Sequence, residues 1–246
     1  MLSSAIPSTT SDESALREKA WAVHELLCRE YECPIRYFHD MDPLSELVSS
    51  MLSHRTRNAD SGRAFKNMRS LFPSWEAVRD AATGDVETAI SAVTWPEQKA
   101  PCIQHILREV TRLRGELSLD FLAELPVPEA RAWLEQLPGV GPKTSAATLL
   151  FSRLRMPALP VDSHHHRVAQ RLALIPPSLG VGPSHVVLEA QLPLGLTAQQ
   201  VYDNHEVLML HGQRCCFHRS PACHRCVVFP LCPAGQSMHP ELPSAR

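Results

Sequence analysis

Glycine is scarce in this 246-residue chain, with 10 residues against 21 prolines. That balance suits helices joined by stiff loops and excludes collagen-like or glycine-rich repeats. Long apolar runs are missing too. The longest stretch without Asp, Glu, Lys or Arg, Leu172–Leu188, is broken by Pro176, Pro177, Gly180, Gly182 and Pro183, so it cannot form a membrane helix. No like-charge block is long enough to force disorder. The opening MLSSAIPSTTSDES has neither a basic start nor an apolar segment. It does not read as a signal peptide, and residues 1–13 read as a short disordered leader. An excess of positive charge is also absent: 24 Lys/Arg face 26 Asp/Glu, a net charge of −2. A nucleic-acid protein is often basic overall, and this balance argues mildly against one.

What is present is a chain with 44% hydrophobic residues. That is enough for a core, in one large domain or two small ones. Charge is sorted by region. Arg55, Arg57, Arg63, Lys66 and Arg69 stand against Asp60 alone, and Lys143, Arg153, Arg155, Arg167 and Arg171 against Asp162 alone. Between them, Glu76, Asp80, Asp85 and Glu87 face only Arg79. On charge alone, the two basic stretches read as ordinary solvated helix faces.

Apolar residues recur at helical spacing throughout. Examples are Leu16, Ala20, Val23 and Leu27, then Leu44, Leu47, Val48, Met51 and Leu52 behind a cap at Asp42 and Pro43. Ile103, Ile106, Leu107 and Val110 repeat the pattern, as do Ala130, Trp133, Leu134 and Leu137. Thr197 is placed to cap a last long helix. No period-two alternation stands out. The spacing predicts an all-α protein of about ten short helices.

Three segments carry chemistry. The first is a cysteine set. Of eight cysteines, five lie between Cys215 and Cys232. Without a secretory signal, disulfides are not expected, and a dense cluster reads as a metal site. Cys216, Cys223, Cys226 and Cys232 are separated by six, two and five residues. Four thiolates in a compact loop ligate either a structural zinc or a [4Fe–4S] cluster, and one close pair flanked by single cysteines wraps a cubane better. Cys215 adjoins Cys216 and competes with it for that role.

The second segment is LPGVGPKT at 137–144. Gly139 and Gly141 allow a tight turn between two helices. Amides in the turn and at the new helix start then point outward, which suits a phosphate. Two helices joined in this way grip a DNA backbone without reading sequence. Lys143 falls in the first helical turn, where the dipole disfavours an ammonium; burial there makes it a usable amine nucleophile. Taken alone it reads first as a solvated charge. The third segment is VDSHHHRV at 161–168. Asp162 sits where a helix cap belongs. His164, His165 and His166 point in different directions on a helix and do not form one metal site.

The order and spacing of LPGVGPKT, VDSHHHRV and the HGQRCC run that opens the cysteine loop resemble the endonuclease III family. These are DNA glycosylases of the helix-hairpin-helix superfamily that carry an iron–sulfur cluster. The resemblance runs from about Leu16 to Cys232 and is weaker from Met41 to Leu125. It implies two helical domains flanking a DNA-binding cleft. One is a six-helix domain with the hairpin at 38–155. The other is a cluster domain made of 14–37 and 156–240. Lys143 then matches the nucleophilic lysine, Asp162 the catalytic aspartate, and Cys216, Cys223, Cys226 and Cys232 the ligands of a [4Fe–4S] cluster. Gly139, Val140, Gly141, His164 and Arg219 are expected on DNA. Two positions depart from the family. Arg55 or His54 stands where a glutamine commonly fills the hole left by a flipped base, and Trp95 stands where a leucine wedge is usual.

The resemblance implies removal of oxidised or otherwise damaged pyrimidines from duplex DNA, followed by abasic-site cleavage. The expected partner is double-stranded DNA with damaged bases or abasic sites. No membrane partner is expected, and the chain is expected to be a monomer in a bacterial cytoplasm, at the nucleoid. Three alternatives remain open on sequence. The same fold can act on photodimers, alkylated or mismatched bases. The chain can be a catalytically weak iron–sulfur DNA binder, or a zinc-binding structural protein.

Overall fold

The computed structural model describes residues 10–243. Among these residues there are twelve α-helices, three short 3-10 turns and no strand, so the all-α expectation holds. The helices are α1 (Thr10–Tyr31), α2 (Pro43–Ser53), α3 (Asn58–Leu71), α4 (Trp75–Asp80), α5 (Thr83–Ala89) and α6 (Pro96–Arg114). They continue with α7 (Val127–Glu135), α8 (Pro142–Phe151), α9 (Ser163–Arg171), α10 (Val181–Glu189), α11 (Ala198–Arg214) and α12 (Pro233–Met238). Residues 1–9 of the expected leader lie outside the described residues. From Thr10 the chain is already helical, with Asp12 and Glu13 in the first turn, where the dipole favours acids.

Two units divide the chain. Tyr37–Pro160 form one, and the segment up to Arg36 joins residues from Val161 onward in the other. The first unit holds seven α-helices, α2 to α8, rather than six. Two of the seven, α4 and α5, are short. Ser74 Oγ caps α4 by accepting the Ala77 N–H at 3.2 Å. Gln104 of α6 is fully buried. Its Nε2 donates to Val78 O and Ala81 O, each at 2.9 Å, and its Oε1 accepts Thr83 Oγ at 2.7 Å. One side chain thus collects the loose ends of both short helices.

The core of this unit is the set of stripes legible in the sequence. Leu44, Leu47, Val48, Met51 and Leu52 of α2 pack with Ile103, Ile106, Leu107 and Val110 of α6. Ala130 and Leu134 of α7 and Ala146 and Leu149 of α8 join them. Each fully buried Leu or Ile contributes ~1.5–3 kcal/mol against exposure. Asp42 caps α2 as expected, its Oδ1 accepting the Ser45 N–H at 2.9 Å.

In the second unit α1 buries Ala20, Val23 and Leu27, the stripe read from the sequence. α11 begins in a capping box, with Thr197 Oγ1 and Gln200 Oε1 each accepting the other's backbone N–H. α9 crosses α11 at Gly212. A Cβ there would lie 2.8 Å from His164 Cβ and 3.1 Å from its carbonyl oxygen.

The expectation that no disulfide forms is corrected. Cys28 and Cys33 are disulfide-bonded. The chain turns back at the end of α1, where Cys33 N–H donates to Cys28 O at 3.0 Å and the two Cα atoms stand 4.9 Å apart. The expectation rested on compartment, whereas the pairing follows from this local turn.

Gly212→Ala places a methyl group inside the α9–α11 contact. It should lower stability by about 1–3 kcal/mol, read as a lower Tm; an unchanged Tm would contradict the close approach.

Candidate active site and cysteine-lined cavity

The hairpin between α7 and α8 is built by its glycines. Gly139 has φ +76°, and a Cβ on it would stand 3.0 Å from Cys102 Sγ and 3.4 Å from Met51 Cε. Conformation and space both call for glycine. Val140 N–H donates to Leu137 O at 3.2 Å, closing the turn. Gly141 is extended, and Pro142 opens α8 at its first position. The first N–H groups of a helix have no partner inside it, so the turn presents a start suited to an anion. Ser145 Oγ donates to Glu135 Oε1 at 2.7 Å, tying α8 back to α7.

Lys143 is half-buried in the first turn of α8. Next to it, Thr144 Oγ1 lies 3.0 Å from His54 Nε2. Burial, Lys143 and Lys99 push the His54 pKa down to about 4, so its ring is neutral at neutral pH. Glu46 of α2 is buried, accepts Ser50 Oγ at 3.0 Å and lies 3.3 Å from His39 Nε2. Burial raises its pKa to about 7 against the opposing pull of the Ser50 hydrogen bond and Lys143. The Lys143 charge thus acts on both a buried acid and a buried imidazole.

Arg55 and Trp95 come together. Both have left-handed backbones, φ +50° and φ +57°. The Arg55 guanidinium stands 5.7 Å from the Trp95 ring centroid. Trp95 is 44% exposed and so is not a core residue. Thr94 clamps the two loops: its N–H donates to Thr56 Oγ1 at 3.1 Å and its Oγ1 to Arg55 O at 3.0 Å. Beneath them lies a residue that sequence reasoning passes over, Lys99. Its Nζ donates to Leu52 O and His54 O, each at 2.7 Å, and to Thr56 Oγ1 at 3.0 Å. It closes the C-terminus of α2, where a cation is favoured. Burial lowers its pKa to about 8. The one signal was its place on the Ile103–Ile106–Val110 stripe of α6, where a lysine is out of pattern.

The basic stretch of α3 is partly neutralised, since Arg57 and Arg63 both pair with Asp60 and Arg69 stacks on Trp75 at 4.6 Å.

In the other unit Asp162 caps α9, its Oδ1 accepting the His165 N–H at 2.7 Å. Glu206 of α11 is buried, and its pKa is raised to about 7 by burial, Asp162 and Asp203. His164 packs against Gly212, and its Nδ1 lies 3.1 Å from Arg167 Nη2. Arg219 is exposed on the loop after Cys216.

Cys216, Cys223, Cys226 and Cys232 line one cavity together with Cys215, His211, Arg171, Val168, Leu172 and Phe229. Arg171 Nη1 donates to Cys216 Sγ at 3.2 Å, and Gly235 N–H donates to Cys232 Sγ at 3.3 Å. A Cβ on Gly235 would crowd Cys232 Sγ at 3.3 Å and Phe229 Cδ2 at 3.2 Å. Five thiols, apolar neighbours and N–H donors to the sulfurs of Cys216 and Cys232 fit the needs of a thiolate-bound cluster.

A protein-family model described as "HhH-GPD superfamily base excision DNA repair protein" matches residues 48–191. A protein of Arabidopsis thaliana with a provisional DNA glycosylase name is 31% identical over 192 residues, which is 78% of this chain and 64% of that one. This chain thus spans just under two thirds of that relative's length. Endonuclease III of Escherichia coli K12 is 28% identical over 190 residues, 77% of this chain and 83% of the relative. Among solved structures, a trapped endonuclease III–DNA covalent intermediate superposes with a TM-score of 0.75 at 21% identity, covering 90% of this chain and 98% of that one. A thermostable thymine-DNA glycosylase gives 0.74 at 20%, covering 91% and 99%.

Glu46 gives a pH prediction. Its folded pKa of about 7 exceeds the ordinary 4.5, so the folded chain holds a proton that the unfolded chain loses between those values. Wild-type stability should fall across that window. Glu46→Gln removes the effect, so its stability advantage over wild type should grow by up to about 3 kcal/mol from about pH 5 to about pH 8 in Tm measurements. A pH-independent difference would contradict the burial of this acid.

Proposed function

Because the chain belongs to the HhH-GPD superfamily of base excision DNA repair proteins, we propose that it is a bifunctional glycosylase. It would remove oxidised or otherwise damaged pyrimidines from duplex DNA and then cut the strand at the abasic site. The observation that carries this reading is Lys143 at the start of α8, directly behind a hairpin whose geometry suits a phosphate.

The reaction follows from the chemistry of these groups. The hairpin 139–141 holds the backbone, and the damaged base leaves the stack. Arg55 takes the space the base vacates, and Trp95 wedges into the duplex beside it. Arg219 and His164 are the further DNA contacts assigned. Lys143, as a neutral amine, attacks the sugar C1′; the base departs with the bonding electron pair. The Asp162 carboxylate offsets the positive charge that grows on the sugar and accepts the proton released from the amine. The C1′–O4′ bond then breaks, O4′ takes up that proton, and the ring-opened sugar is left as a Schiff base on Lys143. That iminium acidifies C2′, a C2′ proton is lost, and the C3′–O bond breaks. Water releases the sugar and restores the lysine.

The four cysteines Cys216, Cys223, Cys226 and Cys232 would hold a [4Fe–4S] cluster. When bound, it supplies a structural cross-link between the loop and α12 rather than a chemical step. Support comes from the place of these four thiols in one cavity beside Val168, Leu172 and Phe229.

Arg55 and Trp95 depart from the side chains usual in the resembling family, so the lesion panel should include a mispaired, an alkylated and a photodimerised base beside oxidised pyrimidines. Incision of a duplex with one oxidised pyrimidine should fall by about 10²-fold or more in Lys143→Ala and in Asp162→Asn. Undiminished incision in either variant would sink its assigned role. Trp95→Ala should weaken binding to lesion duplex by about tenfold, close to the stacking contribution of one aromatic ring; unchanged affinity would discard the wedge.

A further inference from the structure

α1 forms one wall of a groove that involves neither the catalytic residues nor the cysteines. Glu18, Trp21, Ala22 and Glu25 recur at helical spacing and so share one face of α1. Residues 191–194, which follow α10, form the other wall. Both walls belong to the same unit. The groove holds about 360 Å³. That is enough for one large side chain and parts of its neighbours.

Three features of this groove define its occupant. The first is an acceptor. Gln191 is 5% exposed, and its Nε2 donates to Leu174 O at 2.7 Å. Its Oε1 has no hydrogen-bond partner. A buried amide oxygen left without a partner is costly, and this one remains for a donor that enters the groove. The second is an aromatic platform. Trp21 is half-buried, and its ring packs on His24 with centroids 4.4 Å apart and an interplanar angle of 30°. That contact holds the indole in place while part of it stays open. Leu194, 97% exposed, adds apolar surface. The third is charge. Glu18 and Glu25 stand against Arg17 on these walls, so the groove is net negative and repels phosphate. A guanidinium meets all three demands: it has five N–H donors and no acceptor, it stays charged, and its flat face stacks on an indole.

We propose that this groove docks an arginine side chain carried by an apolar segment of a partner protein. The guanidinium stacks on Trp21, donates to Gln191 Oε1 and lies between the carboxylates of Glu18 and Glu25. Apolar residues beside the arginine cover Leu194 and Pro193. An arginine on a tryptophan platform is the kind of anchor that concentrates binding energy in protein interfaces. Arg17 opposes the incoming charge. The docking site does not depend on the glycosylase reading or on a cluster.

The test is calorimetric titration of the full chain with the peptide Ala-Leu-Arg-Leu-Ala, blocked at both ends. Two further peptides replace the arginine by lysine or by citrulline, which keeps its shape and loses its charge. Wild type should bind one arginine peptide, and should bind the lysine and citrulline peptides about fivefold or more weaker. Trp21→Leu, and Glu18→Gln combined with Glu25→Gln, should each weaken binding of the arginine peptide by about fivefold. Gln191→Met removes the acceptor at similar volume and should weaken it by about threefold or more. Arg17→Ala should tighten it. Circular dichroism checks that each variant keeps its helices; should Gln191→Met unfold, the variants on the face of α1 still decide. No binding to wild type, or an affinity unchanged by the Trp21 and glutamate substitutions, would overturn the site. Equal affinity for the lysine or citrulline peptide would overturn the assignment to arginine.

Discussion

Close packing of the Gly139 turn is the constraint on which the catalytic proposal depends. Met51 of α2 and Cys102 of α6 crowd any side chain there, and the positive φ strains any residue but glycine. The turn is thus pressed onto the core at one point, and α8 starts at one place. Lys143 takes its position from that start. The Ser145–Glu135 bond holds α8 against α7, and the Thr144–His54 contact holds it against the end of α2. A flexible, ordinarily solvated side chain is thereby mounted on three fixed supports. Pre-organisation of this sort is what a nucleophile needs, since its reach follows from it.

Two lysines in the same unit illustrate how burial sorts chemistry. Lys99 has a lowered pKa of about 8, a feature often taken as a sign of reactivity. Its three donated hydrogen bonds to Leu52, His54 and Thr56 identify it instead as a strut. It holds the loop that presents Arg55 beside the loop that presents Trp95. Both of those residues have left-handed backbones, each costing of order 1–3 kcal/mol, and such strain persists only where surrounding bonds enforce it. Lys99 and Thr94 supply those bonds.

Much of this was legible in the sequence because it is local. The caps at Asp42 and Thr197, the stripes of α2 and α6, the Gly139–Gly141 hairpin and the cysteine spacing are all recorded over a few residues. Lys99 was not legible because its partners lie about 45 positions earlier, at the end of another helix. Glu46 was hidden for a related reason: an acid early in a helix reads as a favourable dipole contact, and only tertiary packing buries it. The Cys28–Cys33 disulfide was missed because compartment was weighed and the turn at the end of α1 was not. For Lys99 and Glu46 the sequence pattern describes neighbours along the chain, and the missing information is a contact made across it.

The most direct measurement is borohydride reduction of the chain mixed with a duplex carrying one abasic site, followed by proteolysis and mass mapping of the cross-linked residue. The account predicts a covalent protein–DNA adduct located on Lys143. An adduct on another residue, Lys99 above all, would contradict the assignment of the nucleophile, and no adduct from folded, cluster-loaded chain would contradict the Schiff-base chemistry itself.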